Sequence, residues 1–322
     1  MSLHHLPVTV PCNLCGSRDN IVLFAAGEAQ INQVVKCKQC GLMYASPRRD
    51  ADHVEIAAWG DDPNFDVAEK NPGRIDKERL QTRDYAETRA MLNKLYPQRG
   101  KILEIGSSLG FLLKTFRDDG WQVLGVEPDA ILVRYARNRQ GIETINALLE
   151  DAGIPDNSVD VVVMLHVIEH VPDPVATLRE IFRVLKPGGH LVMETPRYDT
   201  LMFKLMGRRE RSLSCDGHIF FFTTESLRRA YERAGFETHK LEYVGRSLTF
   251  ERLAYNLGVV SKTPGLGQLA KKLFDVLGLG KSKLTINLRD MQRVCIRKPL
   301  EAAGSGRPVG EKPVAAVASK VA

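Results

Sequence analysis

Residues 101–127 read KILEIGSSLGFLLKTFRDDGWQVLGVE, and this stretch decides the fold class. A short apolar run, KILEI, leads into the turn GSSLG and then into a helical pattern that stops at Gly120. A second apolar run, WQVLGVE, follows directly. Short apolar runs that alternate with helical patterns are typical of βαβ units, so the stretch predicts a parallel sheet.

The same alternation continues along the chain. A second helix is predicted over residues 129–141, with Asp129 as its N-cap and Gly141 as its stop. Further strands are predicted in the runs VDVVVML, HLVMETP and QRVCIRK, and a further helix begins near Thr224. The sequence therefore predicts an α/β fold built around one main sheet.

These motifs closely resemble those of the class I S-adenosylmethionine (SAM)-dependent methyltransferases, over roughly residues 75–245. LEIGSSLG resembles the family's first motif, and the strings at residues 146–174 and 178–196 resemble its later motifs in the same order. The first motif alone is equally typical of dinucleotide sites, and the later strings favour SAM. The resemblance implies a Rossmann-like sheet of seven strands with the last one antiparallel.

The resemblance also implies which residues hold SAM. Glu104 ends the first strand near the methionine amino group, and Gly106, Ser107 and Gly110 form the loop that the cofactor approaches. Glu127 ends the second strand and accepts hydrogen bonds from both ribose hydroxyls. These five residues are the predicted core of the cofactor site.

The adenine and methyl ends of the cofactor are assigned in the same way. In similar enzymes the residues matching Leu148 and Leu149 flank the adenine, and the strand VDVVVML ends beside the transferable methyl at His166. Two positions depart from the family pattern. Ser108 stands where a third glycine is usual, and Leu148 stands where an acidic residue is frequent, which leaves the adenine to backbone contacts.

Four polar residues are expected at the methyl end: His166, Glu169, His170 and His218. If HVIEH is helical, His166, Glu169 and His170 share one face and form a metal-ligand set. That set is similar to a cluster in small-RNA 2′-O-methyltransferases, whose motif has glutamate in place of His166. Alternatively, His170 only packs the turn before Pro172.

A third interpretation makes His218 the general base, and we favour it. An unperturbed imidazole has a pKa near 6.5, which suits removal of a hydroxyl proton at neutral pH. His166 and His170 are predicted to act beside it as catalytic residues.

Four cysteines predict a zinc ribbon at the start of the chain. Cys12 and Cys15 form one C-x2-C pair, Cys37 and Cys40 form another, and 21 residues separate the pairs. Two such turns supply four thiolates, the closed tetrahedral shell that structural zinc prefers. A redox role would need only one pair.

The predicted organisation follows from these assignments. The segments are a zinc ribbon (1–47), a polar linker with a helix over 75–95 (48–98), the methyltransferase domain (99–298) with an insertion (246–289), and a disordered tail (299–322). The insertion is expected to hold two amphipathic helices, which either cap the acceptor pocket or contact an anionic membrane to reach a lipid-linked acceptor.

Composition limits the class of protein. Hydrophobic residues make up 43% of the chain, no apolar run approaches the roughly 18 residues of a membrane span, and no secretory signal is recognised. A cytoplasmic location is expected. The net charge of +6 is a mild excess, which makes a nucleic-acid partner unlikely.

The predicted activity is SAM-dependent methylation of a small molecule or of a sugar or glycan precursor at oxygen, since similar zinc-ribbon enzymes often act on sugars. Two alternatives remain. The first alternative is an RNA methyltransferase that uses its ribbon to bind nucleic acid. The second is a non-catalytic module that uses the ribbon to bind a protein.

Overall fold

A computed structural model describes residues 8–27, 33–48, 65–210, 213, 217–245, 247–261, 263–279, 283–285 and 289–300. Most of the predicted linker and all of the tail beyond residue 300 lie outside the described residues. The strands are β1 (Asn20–Phe24), β2 (Val34–Cys37), β3 (Met43–Ala45), β4 (Lys101–Ile105), β5 (Gln122–Val126), β6 (Thr144–Ile145), β7 (Val159–Leu165), β8 (Leu185–Pro196), β9 (Phe220–Phe221), β10 (Glu237–Val244), β11 (Ser247–Thr249), β12 (Lys283–Thr285) and β13 (Met291–Arg297).

The main sheet has seven strands in the order β10-β13-β8-β7-β4-β5-β6. Strands β4 to β8 run parallel, whereas β13 is antiparallel to both β8 and β10. The predicted α/β Rossmann-like fold with a last antiparallel strand is therefore confirmed. Because the four adjacent strands β5, β4, β7 and β8 are parallel, their carboxyl ends meet at one edge of the sheet.

Helices cover both faces of this sheet. The helices of the described residues are α1 (Val67–Lys70), α2 (Pro72–Gln81), α3 (Ala86–Leu95), α4 (Phe111–Asp118), α5 (Ala130–Tyr135), α6 (Pro174–Val184), α7 (Leu201–Met206), α8 (Thr224–Arg233), α9 (Phe250–Val260) and α10 (Pro264–Val276). Ile102 packs with α4 on one face, and its neighbour Leu103 packs with α6 on the other. Burial on both sides explains why the strands are almost wholly apolar.

The predicted single helix over residues 75–95 is wrong in its bounds. Asp66 and Asn71 cap two earlier starts, because their side chains accept hydrogen bonds from the amides of Ala68 and Arg74. The structure therefore has helix α1 and the start of α2 in residues expected to be a loop. A 3-10 turn at Thr82–Tyr85 then separates α2 from α3.

The cysteine ribbon does not form a separate sheet. Its strands β1, β2 and β3 are joined by β9 of the main domain, with Tyr44 paired to Phe220 and Met43 to Phe221. Buried ribbon residues, among them Leu42 and Tyr44, belong to the same apolar cluster as the sheet. The ribbon is thus hydrogen-bonded, through β3 and β9, to the chain segment that follows His218.

The insertion contains the two predicted helices. Helices α9 and α10 pack together through Phe250 and Phe274, whose ring centroids are 5.0 Å apart. Gly267 allows close contact, since a Cβ there would lie 2.8 Å from the carbonyl oxygen of Ala254. Among the described residues, no helix is long and apolar enough to cross a membrane.

Candidate active site

Four of the parallel strands end in buried or half-buried polar residues at one edge of the sheet. Glu104 lies near the end of β4, Glu127 follows β5, His166 follows β7, and Glu194 lies near the end of β8. The three glutamates are each less than 10% exposed. Burial of charged groups is costly unless something compensates it, so this edge is the candidate site.

The loop after β4 has the sharp turns that its glycines predict. Gly106 has φ +70° and donates its amide to the carbonyl of Val126 at 2.8 Å. A Cβ on Gly106 would lie 2.5 Å from Cγ2 of Val167, so the neighbouring loop fills the space that the glycine leaves. Gly110 has φ +78° and begins α4. Close packing between two loops is therefore one reason for a glycine at position 106.

Ser108 takes the place of the family's third glycine and keeps a glycine-like backbone, with φ +47°. Its hydroxyl donates to Oε1 of Glu78 at 2.9 Å and lies 3.0 Å from Nη2 of Arg74. The other oxygen of Glu78 accepts the amide of Leu109 at 3.3 Å. Helix α2 thus covers the loop, which offsets the strain that a side chain meets at positive φ.

Glu104 is a buried carboxyl group, 6% exposed, and no Lys or Arg of the described residues forms an ion pair with it. Its Oε2 has no hydrogen-bond partner in the described part of the chain. Burial, and then the nearby charges of Glu78 and Glu127, hold the pKa of Glu104 well above its usual value. Glu78 forms an ion pair with Arg74 at 2.8 Å, so Glu104 and Glu127 are the two carboxyl groups that favour a cationic ligand here.

Glu127 is oriented by two backbone amides. Its Oε2 accepts from Ser108 at 2.9 Å and its Oε1 from Asp129 at 3.0 Å. Burial raises its pKa, and these two hydrogen bonds act in the opposite direction. Each carboxylate oxygen can accept a second hydrogen bond. Glu127 can therefore accept from both predicted ribose hydroxyls while it keeps its two amide donors.

The two leucines predicted at the adenine differ in exposure. Leu148 is 40% exposed, whereas Leu149 is only 3% exposed and packs in the core. Leu148 is therefore the one of the pair that offers surface to a ligand. Asn146 fixes the chain nearby, because its amide donates to the carbonyls of Glu127 and Pro128 at 3.1 and 2.7 Å.

His166 stands between two carboxylates. Its Nε2 is 3.3 Å from Oε1 of Glu194, and its Nδ1 is 3.8 Å from Oε1 of Glu169. Burial lowers the pKa of His166, but the two carboxylates outweigh it and raise this pKa to about 9. Although most of the ring is enclosed, 37% of the side chain remains accessible. The two carboxylates therefore favour the protonated form of the His166 ring.

The segment HVIEH is a turn, so the condition for a metal set on one helical face is not met. His166 has φ +57°, and the amide of His170 donates to the carbonyl of Val167 at 2.8 Å. Asp173 then caps α6 with hydrogen bonds to two amides. The turn keeps His166 beside Glu169 but directs the ring of His170 to the carbonyl of Gly217.

Glu169, His170 and His218 lie together instead. One ligand atom from each falls within 4.8 Å of the others, and the His170 and His218 rings meet edge to face with centroids 4.6 Å apart. Nδ1 of His170 is 2.9 Å from the carbonyl oxygen of Gly217. Burial acts to raise the pKa of Glu169, but the three histidines outweigh it and lower this pKa to about 2.

The four predicted zinc ligands also come together. The sulfurs of Cys12, Cys15, Cys37 and Cys40 lie within 4.8 Å of one another, with 3.4 Å between Cys12 and Cys40. Gly16 and Gly41 turn the chain after each pair with φ +75° and +80°. A hydrogen bond from Cys12 lowers the pKa of Cys40 to about 5. Four sulfurs at this spacing fit a tetrahedral zinc ion.

Two buried residues of the site were not predicted. Glu194 Oε2 accepts from Nε of Arg293 at 2.6 Å, and Arg293 also donates to Thr88 Oγ1 at 3.0 Å. Its guanidinium lies over the ring of Tyr85, 5.1 Å from the centroid. The position of Glu194 and Arg293 inside the apolar strands β8 and β13 is the sequence feature that could have predicted a buried ion pair.

Comparisons with known proteins agree with this geometry. A Mycolicibacterium smegmatis protein named as a probable SAM-dependent methyltransferase is 36% identical over 137 residues, which are 42% of this chain and 51% of that protein. Demethylmenaquinone methyltransferase of Tropheryma whipplei is 28% identical over 144 residues, 41% of this chain and 60% of the relative. This chain spans about half the length of these relatives.

Solved structures and the family comparison extend over more of the chain. A SAM-dependent methyltransferase of Thermotoga maritima aligns with TM-score 0.47 at 20% identity, over 72% of this chain and 98% of that one. Residues 77–241, just over half of the chain, match the methyltransferase domain family. With the seven-stranded sheet and its motifs, this match shows that the chain belongs to the methyltransferase domain family of the class I SAM-dependent type.

Proposed function

We propose that this protein binds SAM at the ends of β4 and β5 and uses it to methylate a hydroxyl oxygen. The observation that carries the proposal is the pair of buried carboxyl groups at Glu104 and Glu127, at the ends of two adjacent parallel strands. SAM carries a sulfonium and an ammonium, which such a pair attracts. A dinucleotide carries a pyrophosphate, which it would repel.

Each residue of the loop has a part in this proposal. Glu104 has an unpartnered buried oxygen that suits the methionine ammonium, and Glu127 has lone pairs left for the ribose hydroxyls. Gly106, Ser107 and Gly110 shape the turn between them, and Leu148 offers its exposed side to the adenine.

SAM supplies an electrophilic methyl group when it is bound. Departure of a neutral thioether needs no acid, so the chain's main task is to align the acceptor. His166 marks the methyl end because it follows β7 at the same edge as Glu104 and Glu127. Its positive charge is balanced by Glu169 and Glu194, which keeps the ring fixed.

We place the acceptor beside Glu169, His170 and His218. A hydroxyl must lose its proton during methylation, and this cluster contains two imidazoles and a carboxylate. His218 remains the predicted base as long as no metal occupies the cluster. A small molecule or a sugar or glycan precursor offers such a hydroxyl, and the mild net charge gives little support to an RNA acceptor.

We further propose that Cys12, Cys15, Cys37 and Cys40 hold one structural zinc ion. The four sulfurs leave no open coordination position, so the ion would stabilise the ribbon and take no part in methyl transfer. Through the pairing of β3 with β9, this also stabilises the segment after His218.

The proposal is tested by incubation of the purified protein with methyl-labelled SAM and separate pools of nucleotide sugars, lipid-linked sugars and small RNAs. Label should enter one of the two sugar pools and should be stable to base as an ether. Label in RNA alone would support the alternative acceptor. Absence of transfer to every pool, together with absence of SAM binding, would contradict the proposed activity.

A further inference from the structure

We propose that Glu169, His170 and His218 bind a divalent metal ion on the acceptor side of the site. The three side chains offer one carboxylate oxygen and two ring nitrogens within 4.8 Å of one another. Two imidazoles and one carboxylate form a frequent ligand set for Zn²⁺, Mn²⁺ and Fe²⁺. The role of the ion in methyl transfer rests on the proposed function, but its binding does not.

The Glu169 carboxylate is held as a metal ligand would be. The side chain is 1% exposed, and its Oε2 accepts a hydrogen bond from Oγ1 of Thr195 at 2.9 Å. Its Oε1 has no hydrogen-bond partner among the described residues, and the nearest nitrogen of His166 is 3.8 Å away. The ion pair with His166 at 3.8 Å leaves this buried oxygen without a hydrogen bond, which is costly. A bound cation removes that cost.

His170 has the tautomer that coordination requires. A carbonyl oxygen can only accept, so the 2.9 Å contact with Gly217 means that Nδ1 of His170 carries the proton. Nε2 then has the free lone pair. Metal-binding histidines commonly donate their second ring nitrogen to a backbone carbonyl in this way, which fixes the ring and the tautomer.

The backbone holds the third ligand close to the first. Amides of Ile219 and Phe220, which directly follow His218, donate to the carbonyl of Glu169 at 3.0 and 3.1 Å. The His218 side chain is 9% exposed and meets the His170 ring edge to face. The three ligands are therefore ordered before a metal arrives, which favours binding.

Three protein ligands leave coordination positions open. In the proposed function, a hydroxyl of the acceptor takes one of them. A hydroxyl bound to a divalent cation ionises at lower pH than a free one, and its proton passes to bulk water. His218 is then a metal ligand and no longer the base.

The test is a titration with Mn²⁺ of the full-length protein whose zinc content has first been brought to one ion per chain, so that only the cysteines hold zinc; electron paramagnetic resonance counts the free Mn²⁺. Mn²⁺ prefers oxygen and nitrogen over thiolate, so it does not report on the cysteines. We expect one bound Mn²⁺ per chain. Glu169→Gln and His218→Asn should each weaken binding by more than about tenfold, whereas His239→Ala, which removes an exposed histidine outside the cluster, should not.

Thermal unfolding of each variant reports whether it is folded. Wild-type protein that binds no Mn²⁺ would overturn the proposal, as would a folded Glu169→Gln variant with wild-type affinity. Metal binding without transfer to any acceptor would reject the proposed function and leave the metal site standing. Transfer that is unaffected by complete removal of Mn²⁺ would confine the ion to a structural role.

Discussion

Nε2 of His166 lies 3.3 Å from Oε1 of Glu194, where two parallel strands of the sheet reach the same edge. The second oxygen of Glu194 accepts from Arg293, which reaches Thr88 at the start of α3. The network therefore ties His166 to helix α3 through Glu194 and Arg293.

The first prediction concerns this network. Glu194→Gln should lower the free energy of unfolding by about 3–5 kcal/mol, because Arg293 is left as an unpaired buried charge. Arg293→Met alone should be similarly costly, since it leaves Glu194 unpaired. The double variant should recover part of the loss in urea unfolding. If the two single effects simply add, the pair is not coupled.

The second prediction concerns Gly106. Gly106→Ala should destabilise the protein by about 1–3 kcal/mol, because the residue has φ +70° and the new Cβ would lie 2.5 Å from Val167. Val167→Ala in the same chain should relieve the clash and leave the backbone strain. Thermal unfolding of the single and the double variant separates the destabilisation caused by the clash from that caused by the backbone strain. A Gly106→Ala protein as stable as wild type would show that the loops can separate freely.

The third prediction concerns the ribbon. Purified protein should contain close to one zinc ion per chain, and Cys37→Ser should lose both the metal and part of the methyl-transfer rate. The rate falls because β3, which follows the cysteines, pairs with β9 next to His218. Metal analysis and rate assays measure these effects. Less than half an equivalent of zinc in wild type, or a metal-loaded Cys37→Ser variant, would remove the ribbon assignment.

The fourth prediction concerns His218. His218→Ala should lower kcat by about 10²–10⁴-fold and leave the affinity for SAM unchanged, whether the residue is a base or a metal ligand. Chelator treatment separates the two roles. A rate that a chelator abolishes and added Mn²⁺ restores indicates a ligand, whereas an insensitive rate indicates a base. A loss below tenfold would exclude both.

The sequence predicts the sheet well because strand and helix patterns are local. Strands β4, β5 and β7 are short apolar runs visible in the sequence, whereas the two-residue β6 was not predicted and β8 begins at Leu185, before its predicted run HLVMETP. The Cys12, Cys15, Cys37 and Cys40 cluster is predictable for the same reason, since the spacing of each pair is set within four residues.

Contacts between distant segments could not be predicted in this way. Arg293 meets Glu194 across 99 residues, and Glu78 meets Ser108 across 30. The conformation of HVIEH depends on the positive φ of His166 and on its pairing with Glu194, which the helical spacing does not reveal. The regrouping of Glu169 with His218 is a consequence of that turn.

The most direct test of the SAM site is calorimetric titration of S-adenosylhomocysteine into wild-type, Glu127→Ala and Glu143→Ala proteins. Glu143 is an exposed glutamate just before β6 and serves as the matched control. Loss of a charge-assisted contact to the ribose should cost about 1.5–3 kcal/mol, so Glu127→Ala should bind at least about tenfold more weakly. Glu143→Ala should bind as wild type does. Equal affinity in wild type and Glu127→Ala would contradict the assignment of SAM to this edge of the sheet.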